Sequence, residues 1–275
     1  MDTKETALLK KIKLRTSKKI NTLLSGEYRS AFRGYGLSFD TVREYIPGDD
    51  VRSIDWNVSA RMNHLFIKKY IEERELSIVF MVDISGSTDF GVARKKRDVI
   101  LEFLTMMLHL ANMNNDRVSV ILFSDRVEKF LKPNKGRKFV LRVLDEIIKS
   151  KPASRNTNIS AAADFLQRVI KKRSIVFVVS DFLDRGESYL LKLRLMSKKH
   201  DVIPVHVYDS FEYEVNLLGL TEHIDLETGK IFFTESIPTR IKLADMGEFS
   251  SIKLKTDEQI EIPILNFFSK RIKAG

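Results

Sequence analysis

From Leu76 to Tyr208 short apolar runs of strand length alternate with longer segments of helical periodicity, and few folds accept that alternation. Leu76–Asp83, Val118–Phe123, Ile175–Ser180 and Val202–Tyr208 are dense in Ile, Val, Phe and Leu, as strands buried on both faces are. Between them, Ala93–Met113 puts Val99, Ile100, Phe103, Leu104, Met107, Leu108 and Ala111 on one helical face. Gly136–Lys149, Ser160–Lys171 and Glu187–Lys198 read as further helices, and Val127–Phe130 as a short extra strand. The tail repeats the pattern with a strand at Ser251–Lys255 and a helix to about Ile272. Thr256 is its expected N-cap, with Gln259 closing a capping box. Strands separated by helices pair in parallel under two helical layers. The expected fold class is α/β: an open, mainly parallel sheet with helices on both faces, preceded by a helix and a small β elaboration.

Two segments break the alternation. Residues 1–75 read as that elaboration: a helix over roughly 4–25, stopped by Gly26, then a Gly-, Arg- and Asp-rich stretch with a turn at Pro47-Gly48. A polar β-hairpin turning at Thr228-Gly229 interrupts the second part at about 211–250. The expected division is 1–75 and 76–275, with the hairpin as an insertion.

Composition narrows the function classes. With 275 residues, 43% hydrophobic, the chain has ample material for a core. It has no cysteine, which excludes disulfides and thiolate metal sites. No apolar run reaches the roughly 20 residues of a membrane span, and Met1–Glu5 lacks a signal core. The expected location is the cytoplasm. The net charge of +10 suits an acidic partner, an anionic membrane contacted peripherally, or nucleic acid. The basic runs at 10–13, 171–173 and 198–199 are read as solvated helix faces, and no aromatic-interleaved segment marks a specific nucleic-acid site.

The chemistry-bearing stretch follows the first core run. Asp83-Ile84-Ser85-Gly86-Ser87 places a carboxylate and two hydroxyls at alternate positions, at the carboxyl end of a strand. In open parallel sheets the functional crevice lies at that edge. Ser180-Asp181 ends another core strand, and Thr157 stands in a polar loop before a helix. Each alone is an ordinary turn or cap residue. Together they form an oxygen-rich set of the sort that hard cations bind.

Asp83-x-Ser85-x-Ser87 with Thr157 and Asp181 resembles the metal-ion-dependent adhesion site of von Willebrand factor type A domains. "REYIPGDDVRSIDWNVSAR" (43–61), "KKYIEERE" after it and "TDEQIEIPILNFFSKR" at the tail resemble the bacterial family called domain of unknown function 58, from about Gly26 onward. The resemblance implies Mg²⁺, with Mn²⁺ as substitute, bound by Ser85, Ser87 and Thr157, with Asp83 and Asp181 ligating directly or through water. It implies one open position for a partner's Asp or Glu. It also implies an adaptor rather than an enzyme, working with a MoxR-type AAA+ ATPase or its client in assembly or chaperone-like maturation.

The rival is a metal-dependent hydrolase, a phosphatase or nuclease. Asp83 as nucleophile would need a second carboxylate two residues on, where Ser85 stands. Neither a phosphate-binding Gly-x-x-x-x-Gly-Lys loop nor metal-spaced histidines occur. Asp49, Asp50 and Asp55 are the other catalytic candidates, set against a structural reading in which Arg43, Arg52 and Arg61 pair with them and Trp56 is a buried anchor.

Overall fold

The computed structural model describes residues 18–32, 37–72, 75–150, 154, 156–183, 188–214, 221–224, 231–234 and 249–274. The chain divides into two compact units, Phe32–Leu76 and the remainder.

The larger unit is built on a six-stranded sheet. In chain order its strands are β3 (Ser77–Asp83), β4 (Arg117–Phe123), β5 (Val127–Asn134), β6 (Ile175–Ser180), β7 (Asp201–Tyr208) and β10 (Ile252–Lys255). They lie in the order β10-β7-β6-β3-β4-β5. Every pairing is parallel except the β4–β5 hairpin. The expected α/β class is therefore observed. β3 lies between β4, the next in the chain, and β6, which arrives later. The topological switch point falls between β3 and β6, and open sheets place their sites at such a point. Residues 78–83, 118–123 and 175–180 are all buried, which is why these strands are apolar on both faces.

The helices between are α3 (Lys96–Met113), α4 (Arg137–Lys149), α5 (Ile159–Val169) and α6 (Ser188–Ser197), with α8 (Glu261–Ala274) at the end. Phe80 stacks on Phe177 across β3 and β6, and Phe103 of α3 meets Phe177 edge-on. On the opposite face Ala162, Leu166, Leu193 and Met196 pack on Val79, Met81, Val176 and Val178. The basic residues 171–173 and 198–199 are exposed, as solvated runs would be.

α1 (Lys18–Ala31) packs on α8. Gly26 lies inside it and not at its end, which corrects the expected stop; residues 4–17 of the expected helix lie outside the described residues. Leu24, Tyr28 and Ala31 are buried at helical spacing through Gly26, and that packing outweighs the propensity cost of about 1 kcal/mol. Tyr28 meets Phe268 edge-on and donates its hydroxyl to Asp116 Oδ2 at 2.7 Å, within the core. Tyr28→Phe should cost about 1.5–3 kcal/mol, the range for a buried hydrogen bond to a charged group. In a melt followed by circular dichroism that is about 3–9 °C, and an unchanged Tm would remove the bond's assigned role.

Thr256 does not cap the last helix. The helix starts at Glu261, and Thr256 donates instead to Asp209 Oδ2 at 2.5 Å. The charge-assisted bond that its hydroxyl donates to a buried carboxylate is stronger than the neutral bond it would accept from a helix N–H. α7 (Phe211–Glu214) follows β7 and leads into the expected insertion. There β8 (Thr221–Ile224) and β9 (Ile231–Thr234) pair antiparallel as foreseen; the Thr228-Gly229 turn lies outside the described residues.

The smaller unit pairs β1 (Leu37–Glu44) antiparallel with β2 (Phe66–Glu72) around α2 (Trp56–Met62). Its carboxylates have structural roles. Asp49 takes a two-pronged bond from Arg43, both at 2.8 Å. Asp50 accepts from Arg52 N–H, and Asp55 caps α2 through Asn57 and Val58 N–H. Trp56 is 67% exposed, so it is no buried anchor: as first residue of a helix capped by Asp55 it turns outward.

Candidate metal centre

Asp83 ends β3, and Ser180-Asp181 ends its neighbour β6. Parallel register therefore delivers both carboxylates to one edge. Ile84 N–H still bonds Phe123 O at 2.9 Å, after which the chain turns into a short 3₁₀ segment, Gly86–Asp89. That turn is fixed by Thr88, whose hydroxyl donates to Ser85 O at 2.7 Å. The third loop is held by Asn158: its N–H bonds Ser124 O at 2.8 Å and its side chain caps α5.

The oxygens converge. Thr157 Oγ1 lies 2.7 Å from Ser85 Oγ and 3.4 Å from Asp83 Oδ2. Ser85 Oγ lies 3.1 Å from Ser87 Oγ. Neighbouring oxygens around an octahedral ion with bonds of about 2.1 Å stand about 3.0 Å apart. The spacing of these donors fits such an ion, and so does their chemistry, which is all oxygen. Asp83, Ser85, Ser87 and Asp181 are buried, whereas Thr157 is half-buried at the mouth. Among the described residues no group of three or more His, Cys, Asp or Glu could hold a metal, so any ion here depends on hydroxyls.

Three further residues belong to this edge. Ser180 donates to Asp83 Oδ2 at 2.7 Å and accepts from Phe182 N–H at 3.1 Å, tying the two strand ends together. Lys96, the first residue of α3 and fully buried, donates to Asp181 Oδ2 at 2.6 Å and to Glu212 Oε1 at 2.7 Å. Asp181 also accepts from Leu183 N–H at 3.2 Å. Phe182 between them has φ 53°, a left-handed conformation that a bulky side chain rarely adopts. The strain, about 1–3 kcal/mol, is offset by burial of the ring against Tyr189 and His206.

The two carboxylates are electrostatically unequal. Burial, and then the charge of Asp181, push Asp83 up to about 7. Its partners, Ser180, Ser85 and Thr157, are neutral donors. Burial also acts against the charged form of Asp181, but the Lys96 ammonium and the Ser87 hydroxyl outweigh it and hold Asp181 below the ordinary range. Glu212 is raised, by burial first, despite the same ammonium. Lys96 thus bridges Asp181 and Glu212. Lys96 itself is raised: the two carboxylates overcome the cost of burying it.

The fold and the site edge define an α/β domain with an oxygen-lined crevice at the switch point of a mainly parallel sheet. The chain belongs to the family described as "Protein of unknown function DUF58", which it matches over residues 41–246. It is 29% identical over 233 residues to uncharacterized proteins of Mycobacterium tuberculosis (strain H37Rv) and Mycobacterium bovis, covering 84% of this chain and 73% of each relative. It is similar to the crystal structure of the conserved hypothetical protein BatB from Bacteroides thetaiotaomicron, with a TM-score of 0.50 and 15% identity over 72% of this chain and 99% of that one. A von Willebrand factor type A protein from Catenulispora acidiphila is similar with a TM-score of 0.43 and 8% identity, over 76% and 44% of the two chains. No helix among the described residues is long and apolar enough to cross a membrane.

Proposed function

We propose that this chain is a non-enzymatic adaptor that holds Mg²⁺ or Mn²⁺ at Asp83, Ser85, Ser87, Thr157 and Asp181 and binds a partner protein through it. The observation that carries the reading is the spacing of the hydroxyls of Ser85, Ser87 and Thr157 around Asp83, between 2.7 and 3.4 Å. A bound divalent ion would supply an exchangeable position for an anionic oxygen, and a partner's Asp or Glu is the natural occupant on a chain of net charge +10. Ser85 and Ser87 present neutral oxygens. Asp83 brings the carboxylate that no cation among the described residues bonds to. Ser180 and the turn at Thr88 hold these groups in place. A MoxR-type AAA+ ATPase, or one of its clients, is the partner class proposed, and assembly or maturation in the cytoplasm the setting.

The hydrolase alternative gains no support from the geometry. Asp49, Asp50 and Asp55 are engaged in an ion pair and two caps, and the residue two beyond Asp83 is a hydroxyl.

A Mg²⁺ titration of complex formation tests the adaptor reading. The purified chain, immobilised, should capture a MoxR-type ATPase or client in Mg²⁺, lose it in EDTA, and fail with Ser85→Ala/Ser87→Ala in both buffers. Recovery of the same partners in all four conditions would show that the hydroxyl cage plays no part in binding.

A further inference from the structure

The least expected group at this edge is the buried ammonium. Lys96 Nζ sits 2.6 Å from Asp181 Oδ2 and 2.7 Å from Glu212 Oε1, with the Phe90 ring 5.8 Å away, and none of the side chain reaches solvent. Asp83, the other carboxylate, bonds among the described residues only neutral donors: Ser85 N–H and the hydroxyls of Ser180 and Thr157. One carboxylate of the pair is therefore already supplied with a cation. Glu212 lies in α7, the short helix that opens onto the insertion, so the same ammonium joins the site to that segment.

We propose that Lys96 is a resident competitor for the divalent ion: it occupies Asp181, sets the affinity of the site, and ties that affinity to Glu212 at the threshold of the insertion. The proposal rests on the metal reading above. An ion entering beside Ser87 either shares Asp181 with the ammonium or draws the carboxylate away from it. Both cost binding energy, because like charges meet in a poorly screened interior. The site is thereby kept weak and exchangeable, as reversible partner capture requires. Glu212 acts in the opposite direction, since it engages the ammonium that otherwise bears on Asp181 alone. If Asp181 is drawn to the ion, Glu212 becomes the main partner of Lys96, and the first turn of the insertion is held more tightly.

Opposite signs at two neighbouring residues make the test sharp. Mn²⁺ affinity of the full chain is measured by calorimetry for wild type, Lys96→Met and Glu212→Gln. Lys96→Met should bind Mn²⁺ at least about tenfold more tightly, and Glu212→Gln about threefold more weakly. Without metal, Lys96→Met should melt lower than wild type, because buried carboxylates are left without their cation, and Mn²⁺ should restore it. A lysine that only held the fold would leave affinity unchanged or weaker when removed, and that result overturns the proposal. If wild type binds no Mn²⁺ but Lys96→Met does, the metal reading of the natural chain fails while the role of Lys96 stands. Binding by neither sinks both. Where Lys96→Met cannot be obtained folded, Glu212→Gln, at a partly exposed position, decides: unchanged or tighter binding there overturns the link.

Discussion

Asp83→Asn should abolish the response to Mg²⁺ and, in the same protein, raise the melting temperature of the metal-free form above pH 7. The two effects share one cause. Asp83 is buried and faces Asp181, so its charged form is disfavoured and it titrates near 7, against an ordinary value of 3.8. A group whose pKa is raised by folding stabilises the fold fully below its unfolded value. That contribution is lost as pH rises through the folded value. At pH 8 the ionised Asp83 therefore weighs against the fold by a few kcal/mol, since each pKa unit is about 1.4 kcal/mol. Asparagine removes the charge. It keeps an acceptor for Ser85 N–H and turns an amide toward Ser180, whose hydroxyl can rotate to accept.

The pH profile needs a difference measurement, because His200 and His206 act in the reverse sense. Burial lowers both to about 4. Their contribution is full above the unfolded value near 6.5 and declines as pH falls toward 4. They are present in both proteins and cancel. The Tm of wild type minus that of Asp83→Asn, in EDTA, should fall between about pH 4 and 7 and be flat above. Added Mg²⁺ should raise wild type by mass action, more at pH 8 than at pH 5.5, and leave the variant unmoved. A variant that still gains from Mg²⁺ as wild type does would sink Asp83 as the anchor of the site. A flat difference curve would show that its carboxylate is not destabilised by burial.

What the sequence disclosed of this site follows from how local each signal is. Asp83, Ser85 and Ser87 are neighbours in one turn, so their spacing is visible in the chain. Asp181 and Thr157 became visible once strands were assigned, because the carboxyl ends of parallel strands share an edge. Lys96 carries no such signal. It reads as a solvated lysine at a helix start, and its partners are distant in sequence. One clue was there: Lys95, Lys96 and Arg97 crowd cations at a helix N-terminus, against the helix dipole. A cation at that end implies a compensating carboxylate. Ser180 stands out in the sequence only as a neighbour of Asp181, although in β6 it is the residue whose hydroxyl crosses to β3. Core strands were legible because burial on both faces leaves only apolar residues. At Gly26, Trp56 and Thr256 local propensity is overruled: by packing of Leu24 and Tyr28, by the outward start of α2, and by the buried Asp209 carboxylate that takes the Thr256 hydroxyl.

The glycines provide a graded test of how this edge is held, and Gly91→Ala should be the most damaging of three. Gly91 has φ +151°, and an added Cβ would stand 2.0 Å from Arg94 O and 2.9 Å from Lys95 Cα. These are backbone atoms, so no side chain can swing aside. The loop around it fixes where α3 begins. Lys96 N–H bonds Phe90 O at 2.8 Å, Val92 N–H bonds Asp209 Oδ2 at 3.0 Å, and Arg94 Nε bonds Thr256 O at 2.6 Å. Displacing it moves the first turn of α3, and with it the ammonium that holds Asp181. The cost should exceed about 3 kcal/mol, among the larger single-residue effects, and Mn²⁺ affinity should change with it. Gly48, at φ +110°, has open space around its Cβ position. Alanine there meets conformational strain alone and should cost about 1–2 kcal/mol. Gly26 is helical, exposed and unobstructed, so Gly26→Ala should stabilise by about 0.5–1 kcal/mol. Denaturant unfolding of the three variants reads the order directly. If Gly91→Ala costs no more than Gly48→Ala, the close approach to Arg94 is not what holds the loop.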